Sequence, residues 1–176
     1  FTPGPTQLYP TVPGHITRAL QEGVCSLSHR SDAFKDIVAH AKDRLSELLA
    51  LPKDSHIFFI SSATEAMERI LENCVETHSF HYIYGAFSER FLSYAEALQK
   101  KPSAYRVANG NGCSLEDPTI TKETELICVT QNETSTGARI SCADIHALEK
   151  RHPACLVAVD AVSALPGAEM VDMNQV

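Results

Sequence analysis

Three short polar clusters, each after an apolar run, hold the residues best suited to chemistry. Ser61-Ser62-Ala63-Thr64 follows Ile57-Phe58-Phe59-Ile60, Asn132-Glu133-Thr134-Ser135-Thr136-Gly137 follows the run 126–129, and Asp160 follows 156–159. Ser62 with Glu65 three residues on has the form of a capping box, so the first cluster opens a helix. The free N–H groups and positive dipole end of such a start favour an anion, phosphate above all. The plainer role of a cap is to satisfy its own helix. A carboxylate at the end of a buried strand needs a partner, because an unpaired buried charge is costly. For Asp160 the candidates are a metal-bound nucleotide, a ribose hydroxyl, a protonated ring nitrogen or a structural salt bridge. Neither G-x-x-x-x-G-K-[ST] nor G-x-G-x-x-G occurs in the chain, which weakens the nucleotide readings.

The elements that must position these clusters follow from periodicity. Phe34, Ile37, Val38, Ala41, Leu45, Leu48 and Leu49 recur at helical spacing, and Pro52 closes that helix. Met67, Ile70, Leu71, Cys74 and Val75 give a second helical stripe, and Phe87, Phe91, Tyr94, Ala95 and Leu98 a third. Ser141 with Asp144 starts a fourth helix, with Ile145 and Leu148 on its inner face. Strands are expected at 56–60, about 80–84, 103–107, 126–129 and 156–159. Their apolar runs are continuous rather than alternating, which means burial on both faces. Strands alternating with helices imply an α/β fold, a three-layer sandwich around a mostly parallel sheet. In such a sheet, ligands bind beyond the carboxyl ends of the strands. Neighbouring strands would therefore turn the three clusters toward one crevice. Residues 1–30 hold four prolines and three glycines within the first 25 positions and read as an irregular N-terminal arm, leaving 31–176 as the domain proper.

The chain has 176 residues, 44% hydrophobic and 21% charged, with a net charge of −7. An acidic balance argues against nucleic acid or an anionic membrane as the main partner. No apolar run approaches a membrane span, and the opening Phe1-Thr2-Pro3-Gly4-Pro5 shows no leader, so neither a membrane nor export is expected. The six cysteines form no C-x-x-C pair, which disfavours a zinc or redox site; Cys128 and Cys155 read as buried thiols. His78 and His81 lack a third ligand nearby, so no metal is assigned. The Asn132-Glu133-Thr134 sequon is read as coincidental.

Taken in order, the motifs resemble the class V branch of aminotransferases that depend on pyridoxal 5'-phosphate (PLP). The resemblance runs from Thr2-Pro3-Gly4-Pro5-Thr6 through Ser28-His29-Arg30, Ser62-Ala63-Thr64-Glu65, Gly85-Ala86-Phe87-Ser88-Glu89-Arg90 and Asn132-Glu133-Thr134 to Asp160-Ala161-Val162-Ser163. It implies fold type I and part of its large domain. It implies that the backbone at Ala63 and Thr64 holds the cofactor phosphate and that Phe87 stacks on the pyridine ring, where the family usually has Trp. Phe87 also fits the apolar stripe of its helix, so core packing is the plainer reading. The resemblance further implies that Thr134 hydrogen-bonds the ring hydroxyl, that Asp160 pairs with the pyridine nitrogen and that Val162 covers the opposite ring face. The Schiff-base lysine is expected after Val176. The lysines present, at 35, 42, 53, 100, 101, 122 and 150, all read as surface charges.

Ser28-His29-Arg30 is similar to the segment that contacts substrate phosphate across the dimer interface of phosphoserine aminotransferases. A pairing of His29 and Arg30 with local acids such as Asp32 is nearly as good a reading. Ser135-Thr136-Gly137 looks more like the alanine–glyoxylate and serine–pyruvate relatives. The expectation is transamination between a small amino acid and a 2-oxo acid, by a cytoplasmic homodimer, with phosphoserine slightly favoured. A non-catalytic domain that keeps the fold is the competing class. Cysteine desulfuration is disfavoured, because that branch usually stacks His where this chain has Phe87.

Overall fold

The computed structural model describes residues 7–108, 110–116, 119–165, 167 and 172–173. The chain forms two compact units, Phe1–Ile57 and Phe58–Val176. The start of the resemblance, at residues 2–6, lies outside the described residues.

In the first unit, helix α1 spans Val12–Gln21 and helix α2 spans Asp32–Leu48, with a 3₁₀ turn at Val24–Ser26 between them. The region read as irregular thus contains a helix. Its proline signal misled because Pro13 sits in the first turn of α1, where a missing N–H costs nothing and the fixed φ suits the helix. Gly23 adopts a left-handed conformation (φ 68°) and turns the chain into the 3₁₀ segment. Ser31 caps α2 by accepting a hydrogen bond from the Phe34 N–H at 3.3 Å.

The second unit carries helix α3 (Ala63–Cys74), strand β1 (His78–Ile83), helix α4 (Ala86–Ala97), strands β2 (Lys101–Arg106), β3 (Leu126–Thr130), β4 (Asn132–Glu133) and β5 (Ala138–Arg139), helix α5 (Cys142–Arg151) and strand β6 (Leu156–Asp160). The main sheet has the order β2-β1-β3-β6, and all its pairs are parallel. Side chains alternate across it. Ile127 and Val129 join Phe80, Tyr82, Ile145 and Leu148 in a core on the α5 side. Leu126 and Cys128 join Met67, Leu71, Phe91 and Ala95 on the side of α3 and α4. Helices therefore cover both faces, as the continuous apolar runs require, and each fully buried side chain such as Ile127 or Leu71 stabilises the fold by about 2 kcal/mol. Among the described residues no helix is long and apolar enough to cross a membrane.

One expected strand is missing. Residues 56–60 lie outside both sheets, with Phe58 81% and Phe59 58% exposed. An apolar run favours burial, but a strand exists only where a neighbour completes its backbone ladder, and no described strand pairs with 56–60. Conversely, the two-residue ladder of β4 with β5 was too short to leave a periodic signal.

Glu125, just before β3, ties the turn after α3 to the sheet. Its carboxylate accepts from the N–H groups of Glu76, Thr77 and His78 and from the Thr77 hydroxyl, the last at 2.8 Å. Desolvation pushes this carboxyl up, but the four donors outweigh it and hold the pKa at about 2, against an ordinary 4.5. A depressed pKa contributes stability that is present above pH 4.5 and is lost as pH falls toward 2. Glu125→Gln is expected to lower stability at pH 7 by on the order of 1 kcal/mol, allowing for solvent screening. Urea unfolding at several pH values should show the gap between parent and variant closing as the pH approaches 3. A gap independent of pH would refute the account.

Candidate functional site

The parallel register sets the site. Thr130 lies opposite Asp160 across the β3–β6 pair, so both strands end at the same level and their following loops leave the same edge of the sheet. A cavity of about 380 Å³ opens there, lined by Ile60, Ser62, Ala63, Phe91, Asp160 and Val162, among others.

The start of α3 forms one wall. Ser62 Oγ accepts from the Glu65 N–H at 3.1 Å, and the Ser62 carbonyl accepts from the Ala66 N–H. The N–H groups of Ala63 and Thr64 have no partner among the described residues. The cap thus satisfies the Glu65 N–H and leaves those of Ala63 and Thr64 for a ligand, in the positive field of the helix end. The return half of the capping box differs from expectation. Glu65 accepts from the N–H and hydroxyl of Ser61, at 3.0 and 2.6 Å, rather than from Ser62. The Ser61 hydroxyl, then its N–H, holds the Glu65 carboxyl below its ordinary range.

Asp160 forms the facing wall. Its Oδ1 accepts from the Val162 N–H at 3.1 Å, and among the described residues no cation pairs with it. Burial raises its pKa; the Val162 hydrogen bond lowers it and the charge of Glu133 raises it further. The salt bridge that would have made Asp160 merely structural is not formed among these residues. An anion kept desolvated beside a cavity, with two open N–H donors on the facing helix, suits a molecule with a cationic end and an anionic end. PLP, with a ring nitrogen that can carry a proton and a phosphate, fits that donor and acceptor set.

The loop bearing Val162 is fastened to the turn between β4 and β5. Thr134 Oγ1 lies 2.8 Å from Ser163 Oγ, which donates to the Asn132 carbonyl at 2.9 Å. Asn132 in turn donates through Nδ2 to the Ser163 carbonyl at 3.2 Å. Thr134 therefore does not line the cavity but is tied to the loop that does. Phe87, in the first turn of α4, also lies off the cavity lining. It is 37% exposed and carries the Arg90 guanidinium 5.6 Å from its ring centre, so it is not the core residue its stripe suggests. His29 and Arg30 belong to the first unit. His29 lines a separate hollow there with Phe34, Lys35 and Lys42, and Asp32, the acid weighed as their partner, pairs with Lys35 at 3.1 Å. Of the two histidines weighed for a metal, His81 is buried with its pKa pulled down to about 4 by desolvation.

Two features escaped the sequence reading. Phe91, an apolar helix residue, reaches the cavity as well as the core. Glu133 is a fully buried carboxylate at 1% exposure, yet in the sequence it looks like an ordinary loop acid between two polar neighbours.

No protein-family model matches the chain. Among curated proteins it is 28% identical over 173 residues to a phosphoserine aminotransferase of Corynebacterium glutamicum, covering 95% of this chain and 43% of that protein. It is 27% identical to an uncharacterised aminotransferase of Methanocaldococcus jannaschii, over 94% of this chain and 42% of the relative. Among solved structures, a phosphoserine aminotransferase from Cytophaga hutchinsonii superposes with a TM-score of 0.93 at 41% identity, over 99% of this chain and 48% of that one. An alanine–glyoxylate aminotransferase from Nostoc sp. shares the fold, with a TM-score of 0.78 at 21% identity over 99% of this chain and 45% of that one. The chain thus spans a little under half the length of the relatives it matches.

The isolated charge of Asp160 has a consequence for stability. Its folded pKa lies above the ordinary 3.8, so its contribution to folding is complete below that value and is lost as pH rises through the raised one. At pH 7 the ionised side chain weighs against folding. Asp160→Asn is expected to stabilise the ligand-free protein at pH 7 by about 1 kcal/mol. Urea midpoints for parent and variant provide the check, and a variant less stable than the parent would contradict the desolvation argument.

Proposed function

We propose, from a chain that is class V aminotransferase-like in sequence and in fold, that the whole protein is a PLP-dependent aminotransferase. Its substrates in this reading are a small amino acid and a 2-oxo acid, with phosphoserine favoured. The named phosphoserine aminotransferases among the sequence and structure relatives support that preference. The alanine–glyoxylate type is the second reading, favoured by Ser135-Thr136-Gly137. The observation that carries the proposal is one cavity lined both by Asp160, which has no cation partner among the described residues, and by the helix start at Ser62 and Ala63, where the N–H groups of Ala63 and its neighbour Thr64 are open.

PLP supplies an electron sink for the substrate's α-carbon, and a protonated pyridine is a better sink than a neutral one. In this reading Asp160 holds that proton on the ring nitrogen, and the Val162 N–H keeps the carboxylate oriented. Ala63 and Thr64 would hold the phosphate through their backbone N–H groups. Val162, on the cavity, would cover one ring face; Phe87 and Thr134, which the family resemblance assigns to the other face and to the ring hydroxyl, lie off the cavity lining in the ligand-free chain and would meet the ring only at the rim. His29 and Arg30 take the substrate's phosphate across a homodimer interface; a guanidinium fork suits that anion. None of the chain's lysines lines the cavity, so the anchoring lysine is assigned to another part of the whole protein. A cytoplasmic location belongs to the same reading.

Titration of PLP into the intact protein, followed by absorbance, tests the proposal. A charge-assisted hydrogen bond contributes about 1.5–3 kcal/mol. Asp160→Asn should therefore weaken PLP binding about 10- to 100-fold, with turnover falling at least as far. Unchanged affinity and turnover in that variant would remove Asp160 from the role, and failure of the parent to bind PLP would end the proposal.

A further inference from the structure

We infer that Glu133 is a positioning residue: its buried carboxylate locks the first turn of α4, which carries Phe87, to the turn that carries Thr134. The inference rests on the PLP reading, because Phe87 and Thr134 matter jointly only if both address one ring.

The geometry is closed on every side. Oε1 accepts from the Phe87 N–H at 3.3 Å, the Ser135 N–H at 3.3 Å and the Ser135 hydroxyl at 2.6 Å. Oε2 accepts from the Ser88 N–H at 2.9 Å and the Ser88 hydroxyl at 3.0 Å. Ser135 Oγ also accepts from the Ala86 N–H at 2.8 Å, so the turn grips the helix start twice. Among the described residues no cation pairs with Glu133, yet its carboxyl stays below the ordinary range: desolvation opposes this, and the donors of Ser135, Ser88 and Phe87 overcome it. A buried anion satisfied wholly by neutral donors depends on their geometry, so it enforces that geometry.

Gly85 reveals how tightly the parts are drawn together. A Cβ there would lie 2.3 Å from Glu133 Cγ and 2.5 Å from Ser135 Oγ. Its backbone is extended (φ 172°), which any residue adopts, so glycine is required by crowding and not by conformation. On the other side of the turn, Thr136 Oγ1 donates to the Tyr84 carbonyl at 3.0 Å, and Thr134 reaches Ser163. One carboxylate therefore sets the spacing between an aromatic face, a hydroxyl and, through Ser163, the loop after Asp160.

Three variants of the intact protein decide the matter. Glu133→Gln keeps the shape but turns an acceptor into a donor facing the Ser88 N–H. Ser135→Ala removes one exposed donor and leaves the core intact. Glu125→Gln is the control, since it unpicks a similar set of backbone hydrogen bonds elsewhere in the sheet. Two readouts are taken: amide hydrogen exchange without ligand, and the induced circular dichroism of bound PLP, which reports ring orientation. For Glu133→Gln we expect exchange at Phe87 and Ser88 to quicken about 10-fold or more, and the induced signal to shrink beyond any change in Glu125→Gln. Ser135→Ala should move both in the same direction by less, and it decides alone if Glu133→Gln does not fold. Unchanged exchange, or an induced signal no different from the control's, would overturn the inference. A parent that binds no PLP would instead overturn the cofactor reading, leaving the exchange result to judge the lock.

Discussion

Two carboxylates, one fully buried and one half-buried, lie near the carboxyl edge of a parallel sheet, and the contrast between them organises the region. Glu133 is surrounded by neutral donors from Phe87, Ser88 and Ser135 that match its oxygens, with no cation among the described residues. Among the described residues the Asp160 carboxylate receives a single backbone N–H, from Val162. Desolvating a charge is costly unless hydrogen bonds or an opposite charge compensate. For Glu133 the fold supplies the compensation; for Asp160 it leaves most of it to whatever enters the cavity. The same charge also raises the proton affinity of Asp160, so the structural anion sharpens the demand of the functional one.

The sheet makes this arrangement unavoidable. Parallel pairing of β1, β3 and β6 sends every following loop to one edge. The start of α3 faces that edge across the cavity, bringing open N–H groups opposite a carboxylate. Anion-binding donors and an anionic side chain are then held apart by a hollow of molecular size, which suits a ligand with opposite charges at its two ends. The phosphoserine aminotransferase of Cytophaga hutchinsonii shares the fold over nearly the whole of the chain while extending to about twice its length.

Much of this was legible before any coordinates. The helices at α2, α3, α4 and α5 followed from apolar stripes and caps, and strands β3 and β6 from continuous apolar runs, although only β3 is buried throughout and β6, at the sheet edge, leaves Leu156 exposed. The run 56–60 had the same composition as those strands but no neighbour to pair with, and composition says nothing about neighbours. Helix α1 was hidden because prolines at helix starts and prolines in irregular arms look alike in a string of letters. Phe87 fits an apolar stripe yet stands exposed, because helical phase does not say where the stripe's edge meets solvent.

Local chemistry was within the reach of the sequence: Ser62 as a cap, Asp160 as a charge at a strand end, and the order of motifs. These depend on residues a few positions apart, and short-range sterics and hydrogen bonding fix their behaviour. Which charges end up partnered was beyond it. Glu133 meets the start of α4 some 45 residues away in sequence, and Asp160 has no cation partner among the described residues because of how the strands and loops assemble. Desolvation and compensation are properties of three-dimensional neighbours, so only the tertiary structure could separate the acid that holds the fold together from the acid that awaits a ligand.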